Sequence, residues 1–217
     1  MSKETLNLLL RMNHDRLETQ IALQCAPLLT GMKISNLLTV GSRKKQEVSR
    51  TFRRSRTQEV MGLFEGTAIS CYLLYGSGDK TTFLLYSRSA LMEYLAEEDI
   101  ERLMGSFGYH VLGLEQILEC VSEKYTAHMN GNGGFPHEIG LLLGYPLADV
   151  LGFIRNNGRN YLCTGYWKVY SNQSECRRIF RRYNQARERL IHMVSRGLGI
   201  GDILEIHGLH QYKSMTI

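Results

Sequence analysis

The spacing of apolar residues along the chain predicts a mixture of helices and strands. A stripe at helical spacing over residues 14 to 29 predicts an amphipathic helix. Its members are Leu17, Ile21, Cys25 and Leu28. Residues 33 to 40 predict a short strand. Residues 43 to 56 predict an exposed helix, because Val48 and Phe52 are the only apolar pair on its surface.

The next part of the chain predicts a hairpin followed by three helices. Residues 67 to 75 and 81 to 87 are rich in β-branched and aromatic side chains and are separated by a glycine-containing turn, which indicates two paired strands. Both stretches are almost continuously apolar, so we expect strands that are covered on both faces. Residues 90 to 97 and 100 to 105 predict short helices, and residues 111 to 129 predict a longer one.

Two helices joined by a tight turn are predicted after the glycine-rich loop at residues 130 to 134. Pro136 suits the first position of the first helix. The pair has the spacing of a helix-turn-helix, but the positions expected to be exposed on the second helix offer little for base contacts, so packing is the favoured interpretation. Those positions are Ala148, Asp149 and Gly152. Residues 161 to 170 predict a single strand that places Tyr166 and Lys168 on the same face.

These elements together predict the fold class. Residues 174 to 194 complete the pattern with a long helix, and neither an internal repeat nor a linker is evident. We therefore expect a single α+β domain over residues 1–196, followed by a C-terminal tail over 197–217. The sheet is predicted to be small and mostly antiparallel, with about four strands including the 67–87 hairpin, and covered by several helices.

The composition is that of a soluble globular protein, with 43% hydrophobic and 22% charged residues in 217. No window approaches the length of a membrane span, and the N-terminus lacks the features of a signal peptide, so we expect a cytoplasmic protein without membrane attachment. The five cysteines are widely spaced and form no C-x-x-C motif, which predicts free thiols. Cys25 and Cys163 are the thiol candidates.

Positive charge is concentrated in two segments. Residues 43–56 and 175–196 carry a net charge of +11, whereas the whole chain carries +5. Such segregation can form a patch for nucleic acid or for an acidic protein partner, and it can equally be the solvated faces of two surface helices. The candidate patch residues are Arg50, Arg53, Arg54, Arg178, Arg181 and Arg182.

One constellation has the character of a ligand site. A histidine in the first turn of a helix lies at the positive end of the helix dipole, which favours the neutral imidazole that binds metal or accepts a proton. His137 and Glu138 would occupy this place, next to the 130–134 loop. Tyr166 and Lys168 could supply a hydroxyl donor and an anion contact, and Arg88 a further anion contact. Alternatively, Glu138 complements the helix end and Lys168 is solvated.

Four segments of the chain resemble a known bacterial family, domain of unknown function thirty-seven ninety-three (DUF3793). They are Cys25–Lys33 (CAPLLTGMK), Leu85–Arg88 (LYSR), Phe135–Val150 (FPHEIGxxxGYPxxDV) and Cys163–Tyr170 (CxGYWKVY). The resemblance extends over about residues 14 to 194. It implies a small cytosolic bacterial protein whose signature motifs include His137, Glu138, Cys163, Tyr166, Trp167 and Lys168. It also associates the chain with flavodoxin and ferrous-iron uptake genes, and so with iron or redox metabolism.

These observations favour the binding of a small anionic ligand or cofactor whose identity is unknown, with enzymatic activity left open. The two alternatives are nucleic-acid binding through the Arg-rich helices at 43–56 and 177–196, and docking of an acidic protein partner through the same helices. His207 and His210 are spaced three apart near the C-terminus and are weak candidates for a metal site.

Overall fold

The structure is a computed structural model, and the residues that it describes are 1–41, 50–77 and 80–209, with the backbone alone over 50–55. The chain is divided into two compact units. The first unit comprises residues 1–88 and 185–217, and the second comprises residues 89–184. The extent of the domain that we expected from the sequence, residues 1–196, stays a prediction.

The described chain alternates helices with short strands. The helices are α1 (Lys3–Arg11), α2 (Leu17–Leu29), α3 (Arg50–Phe64), α4 (Arg88–Leu95), α5 (Glu98–Ser106), α6 (Leu114–Met129), α7 (Ile139–Leu142), α8 (Leu147–Arg155), α9 (Gln173–Ser195) and α10 (Ile200–Ile206). The strands are β1 (Ser35–Gly41), β2 (Ile69–Ser77), β3 (Lys80–Ser87), β4 (Cys163–Thr164) and β5 (Lys168–Val169). The predicted α+β class with a small antiparallel sheet is confirmed.

The first unit contains a three-stranded antiparallel sheet in the order β1-β3-β2. β3 is the central strand, and its residues from Thr81 to Tyr86 are all buried. The predicted 67–87 hairpin is therefore confirmed, and its second strand is covered on both faces as expected. β2 is an edge strand, and it is only partly buried because one side has no neighbouring strand.

Helix α2 packs against β1 and supplies much of the core of the first unit. All four residues of its predicted stripe are buried, which confirms the amphipathic helix. The side chain of Gln24 donates to the carbonyl of Thr39 and accepts from its amide, both at 2.9 Å, so the helix is also hydrogen-bonded to the strand. Further along the chain, α10 adds Ile200, Ile203 and Leu204 to the same core.

In the second unit, α4, α5 and α6 lie within a few residues of the helices that we predicted. The prediction of a helix that begins at Pro136 is wrong in both the start and the length of the helix. His137 and Glu138 form a turn, and the short helix α7 begins only at Ile139. The Ile139 amide donates to the Pro136 carbonyl and the Gly140 amide donates to the His137 carbonyl, which are bonds between residues three apart. His137 therefore precedes the helix, and the argument from a helix dipole does not apply to it.

The single strand predicted over residues 161–170 is also wrong. The chain forms two short antiparallel strands, β4 and β5, joined by a bend in which the Gly165 amide donates to the Trp167 carbonyl at 3.0 Å. The bend forms because the Trp167 side chain turns into the interior of the unit, where it is buried. As a result, the alternation of faces that we expected for Tyr166 and Lys168 is interrupted between them.

Candidate functional site

Glu138, one of the candidate ligand residues, is buried and already has two partners. The residue is 3% exposed, and its Oε1 atom accepts from the Tyr109 hydroxyl at 2.6 Å and from the Lys124 ammonium at 2.9 Å. Lys124 also lies 4.4 Å from the centre of the Tyr109 ring. Burial, together with the hydrogen bond to Glu138, raises the pKa of Tyr109, so the phenol remains a donor. The arrangement compensates the Glu138 charge within the protein.

Asp149 is the most densely hydrogen-bonded side chain of the second unit, and we had predicted it to be exposed. It is 2% exposed. Its Oδ1 atom accepts from the amides of Tyr170 and Ser171 and from the Ser171 hydroxyl, at 2.8, 2.8 and 3.0 Å. Its Oδ2 atom accepts from Trp167 Nε1 at 2.7 Å and from the Cys176 thiol at 3.6 Å. This carboxylate joins α8 to the segment after β5 and to α9.

Aromatic and glycine residues complete this buried centre. The Trp167 ring is stacked 5.1 Å from Tyr145 and lies edge-on to Phe180 at 4.6 Å. A Cβ atom at Gly152 would lie 2.4 Å from the Cβ of Tyr170, so only glycine allows this close approach. Tyr145, Asp149, Trp167 and Tyr170 of the signature motifs thus have packing roles, together with the neighbouring Gly152. A tryptophan that is buried needs an acceptor for its indole N–H. This need is the signal in the sequence that could have identified Asp149 as a buried partner.

A second group of side chains, three of them from the signature motifs, forms a half-exposed surface, which we name the aromatic cluster. Its members are Tyr125, His128, Phe135, His137, Phe153, Tyr161 and Lys168. Ring centres are 5.4 Å apart for His128 and Phe135, and 6.1 Å apart for Phe135 and His137. His137 is 5.5 Å from Phe153. Phe135 and Tyr161 remain 41% and 45% exposed.

The two histidines of the aromatic cluster differ in their hydrogen bonds. His128 Nδ1 lies 3.2 Å from the carbonyl of Gly133, and because a carbonyl only accepts, this nitrogen carries the proton. His137 Nδ1, like Gln20 Oε1 and Tyr170 Oη, is buried and has no hydrogen-bond partner among the described residues. Unpaired buried polar atoms are few in native proteins, and each calls for an explanation.

Lys168 supplies the positive charge of the aromatic cluster. Its ammonium donates to the carbonyl of Gly158 at 2.7 Å, and it lies 5.6 and 5.1 Å from the ring centres of Phe153 and Tyr161. No ion pair to Lys168 is formed within the described residues. The sequence from 150 to 174 contains no Asp or Glu, whereas it contains Arg155, Arg159 and Lys168. This stretch of the sequence therefore offers no carboxylate to pair with Lys168.

Tyr166 contacts side chains of α9, and Arg88 is assigned to the other unit of the chain. The Tyr166 hydroxyl donates to Asn184 Oδ1 at 3.2 Å, and its ring lies 5.0 Å from that of Tyr183. Arg88 is exposed at the start of α4 and is assigned to the first unit, whereas the other four candidates belong to the second. Of the predicted set, His137 and Lys168 are linked through Phe153, and Glu138 has its own partners.

The two thiol candidates have different environments. Cys25 is fully buried in the first unit, and burial raises the pKa of its thiol to about 12. Asn36 Nδ2 lies 3.8 Å from its sulfur atom. Cys163 is half-buried at the start of β4 in the second unit. A thiol as protonated as Cys25 is a poor nucleophile at neutral pH, so its position favours a packing role.

The basic segments are described only in part. Arg178, Arg181 and Arg182 are exposed on α9, and Arg178 pairs with Glu175 at 2.8 Å. The side chains of Arg50, Arg53 and Arg54 lie outside the described residues, as does His210. A shared patch of both segments, with nucleic acid or an acidic protein as its partner, therefore stays a prediction.

The described residues contain no group of three or more His, Cys, Asp or Glu side chains arranged to hold a metal ion. Along the same residues, no helix combines the length and the apolar character needed to cross a membrane.

Comparison with known proteins gives one match. The model of a family described as "Protein of unknown function (DUF3793)" matches residues 21–204. No curated protein and no solved structure matches the chain. The matched region includes both candidate motifs of the second unit and extends through most of α10.

Proposed function

The chain belongs to the DUF3793 family of proteins of unknown function, so its activity has to be inferred from its own side chains, and we propose that it binds a small anionic ligand with a flat ring at the aromatic cluster. The observation that carries the proposal is the buried, unpaired Nδ1 atom of His137 next to the uncompensated charge of Lys168. The cytoplasmic location, the bacterial origin and the link to iron or redox metabolism are parts of this proposal.

The histidine supports the proposal because its unpaired nitrogen costs stability. A buried polar atom without a partner costs about 1–3 kcal/mol. A phenylalanine at position 137 would keep the ring contacts to Phe135 and Phe153 without that cost. Stability alone therefore favours an apolar ring at this position, whereas a ligand that hydrogen-bonds to the imidazole gives a reason for histidine.

The lysine supports an anionic ligand. An ammonium has three donor hydrogens, and the Gly158 carbonyl accepts one of them. The Phe153 and Tyr161 rings hold the ammonium in place, and the surrounding sequence offers no carboxylate. A phosphate or carboxylate of a ligand would supply the missing negative charge through a charge-assisted hydrogen bond.

The exposed rings support a ligand that is flat. Phe135 and Tyr161 each keep more than a third of their surface accessible. Aromatic side chains gain from stacked or edge-to-face contacts with another ring, by about 0.5–1.5 kcal/mol beyond burial. A ligand with a ring and an acidic group would meet both the exposed aromatic faces and the Lys168 charge.

The test begins with native mass spectrometry of the protein purified under anaerobic conditions, to detect a small molecule that is retained. Titrations with three probes then separate ring from charge: flavin mononucleotide carries both, riboflavin carries the ring, and inorganic phosphate carries the charge. We expect flavin mononucleotide to bind most tightly. Lys168→Gln should reduce its affinity to that of riboflavin, and His137→Phe should weaken both flavins.

Matched variants outside the aromatic cluster serve as controls. Lys3→Gln removes an exposed lysine of α1, and His110→Phe changes an exposed histidine. Neither should alter binding. A protein that retains no small molecule and binds none of the three probes would contradict the proposal, and so would equal losses in the control variants.

A further inference from the structure

The second unit has an apolar groove that the proposed ligand site does not use. It has a volume of about 250 Å³ and lies between the ends of α4 and α5, the chain that follows α5, and the first turn of α6. The apolar residues that line it include Met92, Leu95, Met104, Val111, Leu112 and Ile117. Met92 and Val111 are exposed, so apolar surface extends from the groove to its rim.

Val111 combines two unfavourable features at this rim. Its side chain is fully exposed, and its φ of 56° lies in the left-handed region that β-branched residues avoid. The other non-glycine residues with positive φ among those described are all asparagines, which tolerate this conformation. A strained backbone typically costs about 1–3 kcal/mol and is concentrated at functional positions. The valine therefore lowers the stability of the isolated protein without an internal contact in return.

The surroundings of the groove are acidic. Residues 89–123 contain eight Asp and Glu residues, and Arg102 is their only Lys or Arg. Arg102 is already paired with Glu98 and Asp99. Lys124, which lies 4.4 Å from the ring of the lining residue Tyr109, is paired with the buried Glu138. Glu101 lines the groove, and Glu93 and Glu97 directly follow the lining residues Met92 and Ala96 in the sequence. The groove thus combines an apolar interior with negative charge at its edge.

The size of the groove distinguishes between kinds of occupant. Cavities for small molecules usually measure about 300–1,000 Å³, so this groove is smaller than a typical ligand site and suits one or two apolar side chains. Methionine walls adapt to side chains of different shape. Helices recognised in grooves present apolar residues on one face, and positive charge on the other face would match the glutamates.

From these features we infer that the groove docks the apolar face of a basic amphipathic helix from a partner protein, with Val111 as a central contact. The strain and exposure of Val111, the apolar groove and the carboxylates around it are then explained by a single interface. This interface has the opposite charge to the Arg-rich surface of α9, and it is independent of the aromatic cluster.

The experiment measures binding of a synthetic amphipathic peptide to the full chain by fluorescence anisotropy. The peptide has about 18 residues, with leucine along one helical face and lysine elsewhere. We expect binding that weakens as salt is raised. Two comparison peptides should bind at least about tenfold more weakly. One has the same composition with the leucines scrambled, and the other has glutamate in place of lysine.

Variants of the groove test the residues named. Val111→Gly relieves the strained backbone and removes the side chain, so we expect an unchanged or higher melting temperature with at least about tenfold weaker binding. Changing Glu93, Glu97 and Glu101 to glutamine should remove most of the salt dependence. Leu10→Asn, at an exposed leucine of α1, should leave binding unchanged.

Three results would overturn the inference. The first is equal binding of the scrambled peptide, and the second is wild-type affinity in the Val111→Gly variant. The third is self-association in sedimentation experiments that Val111→Gly abolishes, because the occupant of the groove would then be a second copy of this chain.

Discussion

Asp149→Asn changes a single atom of the side chain and should strongly destabilise the second unit. The two side chains have nearly the same shape, but the amide replaces one acceptor oxygen with a donor NH₂ group. All five groups that contact the Asp149 carboxylate are donors. Wherever the amide nitrogen lies, it therefore faces at least one donor and loses a hydrogen bond.

The magnitude follows from the arrangement of these donors. With the nitrogen at the Oδ1 position, two backbone amides and the Ser171 hydroxyl lose their acceptor. The less costly orientation places it at the Oδ2 position, facing Trp167 Nε1, which is now 2.7 Å from an acceptor. A hydrogen bond to a charged group contributes about 1.5–3 kcal/mol, and an unpaired buried donor costs about 1–3 kcal/mol. Since these contributions overlap, we expect a loss of about 2–5 kcal/mol.

The assay uses the tryptophan itself. Trp167 is the only tryptophan of the chain and is buried at this centre, so its fluorescence in urea reports the unfolding of the second unit. The Asp149→Asn variant should show a lower urea midpoint with a similar slope. Circular dichroism provides the same measurement for variants that lack the tryptophan.

A double-mutant cycle identifies the cause. Trp167→Phe removes the indole donor, so Asp149→Asn should cost less in that background by about 1.5–3 kcal/mol. Two results would refute the reasoning. One is an Asp149→Asn variant within about 0.5 kcal/mol of the wild type, the level of an ordinary surface substitution. The other is an equal cost with and without the indole.

Three further predictions can be tested by urea unfolding. Gly152→Ala should destabilise by about 1–3 kcal/mol, because its Cβ would lie 2.4 Å from that of Tyr170, and an unchanged midpoint would contradict this. A Cβ atom at Gly62, in α3, would have no contacting atom within 4 Å, so Gly62→Ala should stabilise the protein by about 0.5–1 kcal/mol. A lower urea midpoint for this variant would contradict the prediction. Burial raises the pKa of Cys25 and Cys71 from 9.0 to about 12. Because their thiols ionise first in the unfolded chain, stability should fall from pH 9 to 12, and replacing both with alanine should reduce that slope, with an unchanged slope as the refuting result.

The spacing of apolar residues correctly predicted the helices and strands that bury an apolar face. The stripe of α2 is buried as expected. The α9 positions Tyr183, Ala186 and Leu190 are also buried, and most of the arginines of that helix are exposed. The β2–β3 hairpin followed from two apolar stretches around a glycine-containing turn. These elements were predictable because the free energy of burial depends on local spacing, which the sequence displays directly.

The errors arose where contacts distant in sequence decide the conformation. Asp149 is a charged residue in an otherwise apolar helix, which predicts that it is exposed to solvent. Its hydrogen-bond partners Trp167 and Ser171 lie 18 and 22 residues further along the chain. The strand predicted over residues 161–170 is bent because Trp167 turns towards that carboxylate. The burial of Asp149 cannot be predicted from its own neighbours in sequence, and spacing alone therefore misplaced it.

Membership in a signature motif did not distinguish residues that pack from residues that could bind a ligand. The hydrogen bonds that each side chain makes distinguish them in part. The structural demands of Trp167, Gly152 and Asp149 are met by one another and by their buried neighbours, so their presence needs no ligand. His137 has an unpaired buried nitrogen, and Lys168 has a charge that no described carboxylate balances. If His137→Phe is more stable than the wild type and loses the flavin probes, stability cannot be the reason for histidine at this position. A less stable His137→Phe would instead place the imidazole among the residues that hold the second unit together.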